Sequence, residues 1–401
     1  MAEIKISINI ADPTDPHRVQ FQSLLDEFRQ QSRASVTVQI YNWGAAWAEF
    51  TKTIQYGIGP VVSQSGDSWM GSLISHNSLR IFKEKELAQL NGRENFLESS
   101  WQSCLSFNDK DVVAIPWVLD TCLVYFHRDM LEKAGVDPAT AFLTFESFHQ
   151  TLEKLQAAGF AYPLGISTNW SHSNVHLLTS WVWGSGGDFT NPEKTKVEMN
   201  QPGTREGMNK YFSLFPFIPP DMQPLTDQDC LGLFLDRKIA ITIRNPTLLF
   251  RLKKQEFPET FAQHVGIATV PGVPWIGGSH LIIWKHIRPD QEPDAFSLIQ
   301  FLTSKHAAMT TFESTGLIPA NLEALSQIDH ESSIFAPAFQ SVKTGRVLPR
   351  LRIWGVAEER IALAMMQIWG ALFRNPHLNI DQVVMDNIDP MVVKINMMSG
   401  Q

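Results

Sequence analysis

Cysteine is scarce in this chain: Cys104, Cys122 and Cys230 are the only three in 401 residues. Three scattered thiols build neither a disulfide framework nor a zinc knuckle. Positive charge is also short, with 33 Lys and Arg against 41 Asp and Glu and a net charge of −8. A chain so balanced lacks the broad basic surface that dominates affinity for nucleic acid, and no basic run stands out locally, so no nucleic-acid partner is expected. No apolar run approaches the ~20 residues of a membrane-spanning helix. The five tyrosines (Tyr41, Tyr56, Tyr125, Tyr162, Tyr211) never adjoin, which argues against ferric-ion capture by neighbouring phenols.

Signatures of catalysis are missing in the same way. There is no Gly-x-Ser-x-Gly elbow. Gly57-Ile58-Gly59-Pro60 lacks the third glycine of a dinucleotide site and the Gly-Lys-Ser/Thr of a phosphate loop. His127-Arg128-Asp129 has neither the downstream Asn nor the preceding Gly-rich loop of a kinase. His172 and His176, four apart, can share a helix face, but no third ligand stands at a metal-binding spacing. Carboxylates are numerous enough for a glycosidase pair, yet the eightfold βα rhythm of a barrel is absent. Asn169-Trp170-Ser171 fits the glycosylation sequon, a weak pattern. No metal and no cofactor are expected.

What the sequence does have is aromatic mass and alternating order. Hydrophobic residues make up 44% and charged residues 18%, a globular balance. Twelve Trp and 25 Phe predict a large core, with a subset of the indoles free to line a binding groove. Ile4, Ile6, Ile8 and Ile10 alternate with polar residues as a half-buried strand. Asp15 and Pro16 suit the cap and first position of a helix whose inner face is Phe21, Leu24, Leu25 and Phe28. Val36, Val38 and Ile40 form a second strand, which makes a βαβ unit with parallel strands. A helix over 45–56 ends at Gly57; strands follow at Val61-Val62, 112–116, 123–126, 239–243 and 281–284. Further helices are expected from Ser68, from Thr144 to Gly159, from Pro293, and over 355–373. Residues 160–235 are dense in Trp, Gly and Pro with weaker periodicity. The opening Met-Ala-Glu runs straight into the first strand with neither a basic nor an apolar leader segment, so the sequence shows no signal peptide. A cytoplasmic protein and a mature extracytoplasmic one both remain compatible with that opening.

In α/β layers, ligands bind at the carboxyl ends of strands. Aromatic residues recur beside polar ones at such places: Trp43 after the second strand, Trp69 beside Asp67, Trp117 and Asp120 after Pro116, Arg244 and Asn245 before Pro246, and Trp275 ahead of Gly277-Gly278-Ser279. A sugar ring presents an apolar face to stack on an indole and a rim of hydroxyls suited to Asp, Asn and Arg. The expected ligand is therefore a small molecule, a carbohydrate by this chemistry.

The ordered series of short motifs resembles the family 1 extracellular solute-binding proteins of ABC importers, the maltose-binding-like group. Gly59-Pro60-Val61-Val62 with Gly66-Asp67-Ser68-Trp69 resembles that family's Gly-x-Pro-Asp-Val … Trp stretch, although Val61 replaces its Asp. Ile115-Pro116-Trp117-Val118-Leu119-Asp120 through Tyr125-Phe126-His127-Arg128-Asp129 resembles its most recognisable block, with His127 in place of Asn. Ala134-Gly135-Val136, Thr144 to Phe148 with Phe145 for a common Trp, Gly186-Gly187-Asp188-Phe189, Gly277-Gly278-Ser279 and Gly316-Leu317-Ile318-Pro319-Ala320 continue in order. Arg237 stands where the family usually has Gly.

The resemblance implies a type II periplasmic-binding-protein-like α/β fold of two lobes, each a mixed sheet flanked by helices, with a cleft between them. The N-terminal lobe would comprise 1–113 and 275–318, and the C-terminal lobe 118–270 and 321–401. Hinge crossings would fall near 112–118, 270–275 and 317–321. It also implies that Asp120 grips sugar hydroxyls, that Gly277, Gly278 and Ser279 form a cleft loop, and that Arg350 and Trp354 belong to a contributing C-terminal segment. Function then follows as sugar capture by hinge closure, without catalysis, by a monomer that delivers to ABC permease transmembrane subunits outside the cytoplasm. A ligand-sensing domain, a binder of a polyamine or glycerophosphate-like ester, and a carbohydrate-active enzyme are the alternatives.

Overall fold

The computed structural model describes residues 3–10, 16–32, 34–254, 256–257, 259–328 and 334–398. The expected cap Asp15 lies outside them. The chain divides into two compact units: Met1–Asp120 with Gly277–His330, and Thr121–Ile276 with Glu331–Gln401.

The first unit is built on a six-stranded mixed sheet of order β10-β4-β9-β3-β1-β2. Its strands are β1 (Glu3–Ile10), β2 (Ser35–Asn42), β3 (Val62–Gly66), β4 (Ala114–Thr121), β9 (Ile276–Ile283) and β10 (Ile318–Pro319). The βαβ expectation holds: β1 and β2 are parallel in register Ile4↔Val36, and the helix Pro16–Ser32 between them buries Phe21, Leu24, Leu25 and Phe28. The alternation in β1 predicts one wet face, yet Ser7 and Asn9 are buried as well. Both make hydrogen bonds across the sheet, Ser7 Oγ donating to Ser63 Oγ at 2.7 Å, and the Asn9 backbone amide and Nδ2 donating to Gln64 Oε1 at 2.8 Å and the Gln64 carbonyl at 2.9 Å. The helix expected from Ser68 is a single 3₁₀ turn, Asp67–Trp69, followed by the short helix Met70–Ser75.

The second unit carries a four-stranded sheet of order β6-β7-β5-β8. These strands are β5 (Leu123–His127), β6 (Leu164–Gly165), β7 (Ile241–Arg244) and β8 (Val265–Thr269). Strand β5 lies antiparallel to both neighbours, and β6 runs parallel to β7. The helix Phe145–Ala157 starts at Thr144, whose Oγ1 accepts from the Ser147 amide in a reciprocal capping arrangement. The expected C-terminal helix is Trp354–Arg374, packed on the helix His172–Gly184.

The chain passes between units after Asp120, Ile276 and His330. Asn321 is tied into the first unit, its Nδ2 donating to the Thr303 carbonyl at 3.0 Å and its backbone bridging Phe96.

Candidate ligand-binding site

In the first unit, the parallel strands β1, β2 and β3 direct their carboxyl ends toward a set of indoles. Asn42 ends β2 and caps the next helix, Trp43–Tyr56, its Oδ1 accepting from the Gly44 amide at 2.9 Å. That cap places Trp43 at the helix start and Trp47 one turn on. Both are half-buried and lean on Trp69, with ring centroids 5.5 and 5.8 Å away. Trp69 itself is 7% exposed and meets Phe50, which in turn meets Trp284 edge-on at 5.2 Å. The cluster thus has a dry base of Trp69, Phe50 and Trp284 and a wetter rim of Trp43 and Trp47.

Beside this rim, Asp67 opens the 3₁₀ turn after β3. Its Oδ1 lies 2.9 Å from His280 Nε2, and Ser103 Oγ lies 3.0 Å from the same nitrogen. Ser103 spends its only proton on the Ser100 carbonyl at 2.8 Å, so the proton shared here belongs to His280 Nε2. The imidazole therefore donates to both partners and fixes the orientation of the Asp67 carboxylate. Ser279 Oγ accepts from Gln64 Nε2 at 2.9 Å.

In the second unit, Trp275 stacks on His176 with centroids 4.0 Å apart and planes within 10°. The Thr121 hydroxyl fixes the Trp275 backbone, donating to its carbonyl at 2.7 Å. His176 Nε2 donates to Glu358 Oε1 at 2.8 Å, and His172 Nδ1 stands 3.2 Å from Glu358 Oε2. Glu358 has no exposed surface. Burial alone would push its carboxyl up, but the two imidazoles override this and hold it down at about 2. Burial likewise opposes the charge on His172, and the Glu358 carboxylate with the charge of Glu359 outweighs it, leaving the His172 imidazole above its ordinary range. Trp170, 40% exposed, sits edge-on to His172 at 5.2 Å. Among the described residues no group of three or more His, Cys, Asp or Glu is arranged to hold a metal ion.

The candidates from sequence divide accordingly. Trp43, Asp67 and Trp69 come together in the first unit, and Trp275 lies in the second. Trp117 and Trp354 do not offer a face to ligand: Trp117 is 2% exposed and meets Phe21 edge-on, and Trp354 is 0% exposed against Phe189. Both are core residues: β4 is buried on both faces around Trp117, and Trp354 is on the buried face of its helix. Gly277, Gly278 and Ser279 belong to β9, not to a loop. Gly278 has φ +135°, and a Cβ there would lie 2.0 Å from the Val118 carbonyl oxygen, so close strand approach explains the glycine. Arg244 is engaged by Asp227, Nη1 donating to its carbonyl. Asn245 receives the Tyr125 hydroxyl on its carbonyl at 2.8 Å and the Thr247 hydroxyl on Oδ1 at 2.6 Å. Asp120 and Arg350 are half-buried.

Sequence reasoning passed over Trp47, Ser103 and Glu358, and noted His280 only as the residue that follows Gly277-Gly278-Ser279. The spacing of His172 and His176 did place them on one helix face. Their carboxylate partner lies 182 residues from His176, beyond any local signal.

Residues 23–337 match the model of a family described as bacterial extracellular solute-binding protein. The chain belongs to that family. The maltodextrin-binding protein MdxE of Bacillus subtilis is 23% identical to this solute-binding chain over 288 residues, which is 64% of each protein's length. Solved structures that share its fold include two with a sugar bound. One is an ABC transporter solute-binding protein from Thermotoga lettingae bound with α-D-tagatose, at a TM-score of 0.83, 18% identity and full coverage of both chains. The other is maltose-bound MalE3 of T. maritima, at a TM-score of 0.83 and 18% identity, covering 99% of this chain and 100% of that one. The two-sheet α/β architecture expected from sequence is the fold of these proteins. No helix among the described residues is long and apolar enough to cross a membrane.

Proposed function

We propose that this solute-binding protein captures a sugar or oligosaccharide by hinge closure and delivers it to the permease of an ABC importer, outside the cytoplasm and as a monomer. The observation that carries this reading is the half-buried Trp43–Trp47 rim on Trp69, with the His280-oriented carboxylate of Asp67 two residues before that base. It pairs a flat apolar surface for a pyranose face with a fixed acceptor for its hydroxyls. In the second unit Trp170, 40% exposed and edge-on to His172, offers a further aromatic surface, while Trp275, 6% exposed, backs the His176 ring. The similar proteins are named for maltodextrin or solved with maltose and tagatose, which supports the sugar class.

The mechanism is binding without bond-making. Ligand moves the open–closed equilibrium only by its difference in affinity for the two states. Going from 1:99 to 99:1 takes about 5.5 kcal/mol. Two stacked rings at about 0.5–1.5 kcal/mol each and two hydrogen bonds to charged groups at about 1.5–3 kcal/mol each reach that figure. The hinge segments proposed are those near 112–118, 270–275 and 317–321.

The Ser103–His280–Asp67 trio is the feature that would favour a hydrolase. In a working triad the acid and the nucleophile bind opposite nitrogens of the imidazole. Here both lie on Nε2, and the serine proton is given to a carbonyl, so no proton relay runs through the ring. Its role in this reading is to orient Asp67.

The test is a thermal-shift and calorimetric screen against maltose, maltodextrins, D-tagatose and cycloalternan, with small-angle scattering of each positive. Stabilisation that grows with concentration and a smaller radius with sugar bound are expected. Failure of every sugar to shift melting or change the radius refutes the reading, and sustained release of shorter saccharides makes the protein an enzyme.

A further inference from the structure

A carboxylate removed from water stays ionised most readily where hydrogen bonds and opposite charge replace its hydration. The Asp67 side chain is 5% exposed, and the group that faces its Oδ1 is the His280 imidazole. The protonation of that ring decides the charge of the site. Its Nε2 carries a proton toward Asp67 Oδ1 and Ser103 Oγ, while its Nδ1 is buried with no partner among the described residues. A second proton would leave a charged donor sealed away from any acceptor, whereas the neutral ring leaves only an idle lone pair. His280 is therefore neutral, and Asp67 keeps an uncompensated negative charge. Asp67 Oδ2 takes no hydrogen bond among the described residues and is not sealed from solvent.

Indoles lie beside this charge. A Cβ on Gly66, the residue before Asp67, would come 3.4 Å from the Trp43 ring. Trp43 and Trp47 stand half-buried against Trp69, and among the described residues no Lys or Arg lies over any of the three rings. Aromatic faces attract cations through their quadrupole. An open carboxylate oxygen next to open indole faces is a site short of one positive charge.

We propose that the solute is a saccharide bearing a protonated amine, with its ammonium on Asp67 Oδ2 and its ring C–H face on the Trp43–Trp47 rim. The inference rests on the sugar-binding reading of this group and narrows it. A hydroxyl can donate to the same oxygen, but an ammonium adds opposite charge where little water screens it.

Calorimetry at pH 6 tests this with glucosamine, galactosamine, mannosamine and the glucosamine disaccharide, each beside its all-hydroxyl counterpart and its N-acetyl form. Putrescine and choline serve as sugar-free amines. In at least one set the amine is expected to bind about tenfold more tightly than the hydroxyl, and N-acetylation, which removes the charge, to abolish the gain. D67N keeps an acceptor toward His280 Nε2 and should erase the difference between amine and hydroxyl, with its melting temperature reporting on folding. The comparison among ligands needs no variant and stands even where D67N does not fold. Hydroxyl sugars that bind as tightly as their amine counterparts throughout overturn the inference and leave the sugar site standing. An amine preference that survives in folded D67N overturns it as well. Putrescine or choline binding as tightly as the amino sugars overturns it together with the sugar reading beneath it. Failure of every sugar, charged or neutral, removes both.

Discussion

His127 offers the sharpest test of how burial sets chemistry in this fold. It ends β5 with no exposed surface, its ring stacked on Phe234 at 4.2 Å and met edge-on by Phe261. Nε2 lies 3.0 Å from the Phe234 carbonyl and so carries the ring proton, and Nδ1 lies 3.3 Å from Arg237 Nη1 and accepts from it. A second proton would have to enter a dry site already facing a guanidinium. Burial, reinforced by Arg237, accordingly pushes the imidazole down from 6.5 to about 4, against the opposing pull of the Phe234 carbonyl and Asp129. Because the folded value is depressed, the unfolded chain binds more protons between those two values. The stability is complete above pH 6.5 and is lost as pH falls toward 4. Integrating the proton-binding difference from pH 7 to pH 5 gives a loss of about 2 kcal/mol from this one residue.

The perturbation is H127F, which keeps the ring against Phe234 but cannot titrate. At pH 7 it should cost about 1–3 kcal/mol, since the Phe234 carbonyl and the guanidinium each lose a partner. Urea unfolding followed by far-ultraviolet circular dichroism at pH 7, 6 and 5 measures both proteins. The raised affinity of His172 for protons acts in the opposite sense, its contribution lost as pH rises, and cancels in the comparison. The gap between wild type and H127F should narrow by about 2 kcal/mol between pH 7 and 5. Parallel loss of stability in both proteins would refute the assignment.

Other consequences can be checked alongside. W43A removes a half-buried rim indole and should weaken sugar binding about two- to twelvefold by calorimetry, with little change in melting. W354A empties a fully buried position and should destabilise by about 3–5 kcal/mol in urea; unchanged stability with lost binding would return Trp354 to the ligand. G278A drives a methyl into the Val118 carbonyl from a left-handed backbone and should cost about 2–4 kcal/mol or prevent folding, as read by the yield of folded protein and its urea midpoint.

Much of the fold is legible because its elements carry one-sided patterns. The alternation of Ile4 to Ile10, the Phe21–Phe28 face and the Thr144 cap each map onto an observed strand, helix and cap. The helix His172–Gly184 escaped such reading because nearly every residue from Asn174 to Trp183 is buried, which erases the stripe that marks an amphipathic helix. Pro390 hides the helix Ile380–Met398 in the same way, by standing inside it. Local sequence finds the Trp43–Asp67–Trp69 group, since all three residues follow strand ends. It misreads Gly278, where the glycine answers a neighbouring strand, and Trp354, whose indole serves the interior. Arg237 is instructive: at φ +58° it takes a backbone conformation suited to glycine, and its ion pair with Asp129 and contact with His127 account for a side chain there.

The strand order has a consequence for synthesis. Strand β9, made after residue 275, lies between β4 and β3 in the sheet of the first unit, and the second unit's interior includes Trp354 and Trp369 near the end of the chain. Neither half can close its interior while the ribosome still holds the last third of the polypeptide.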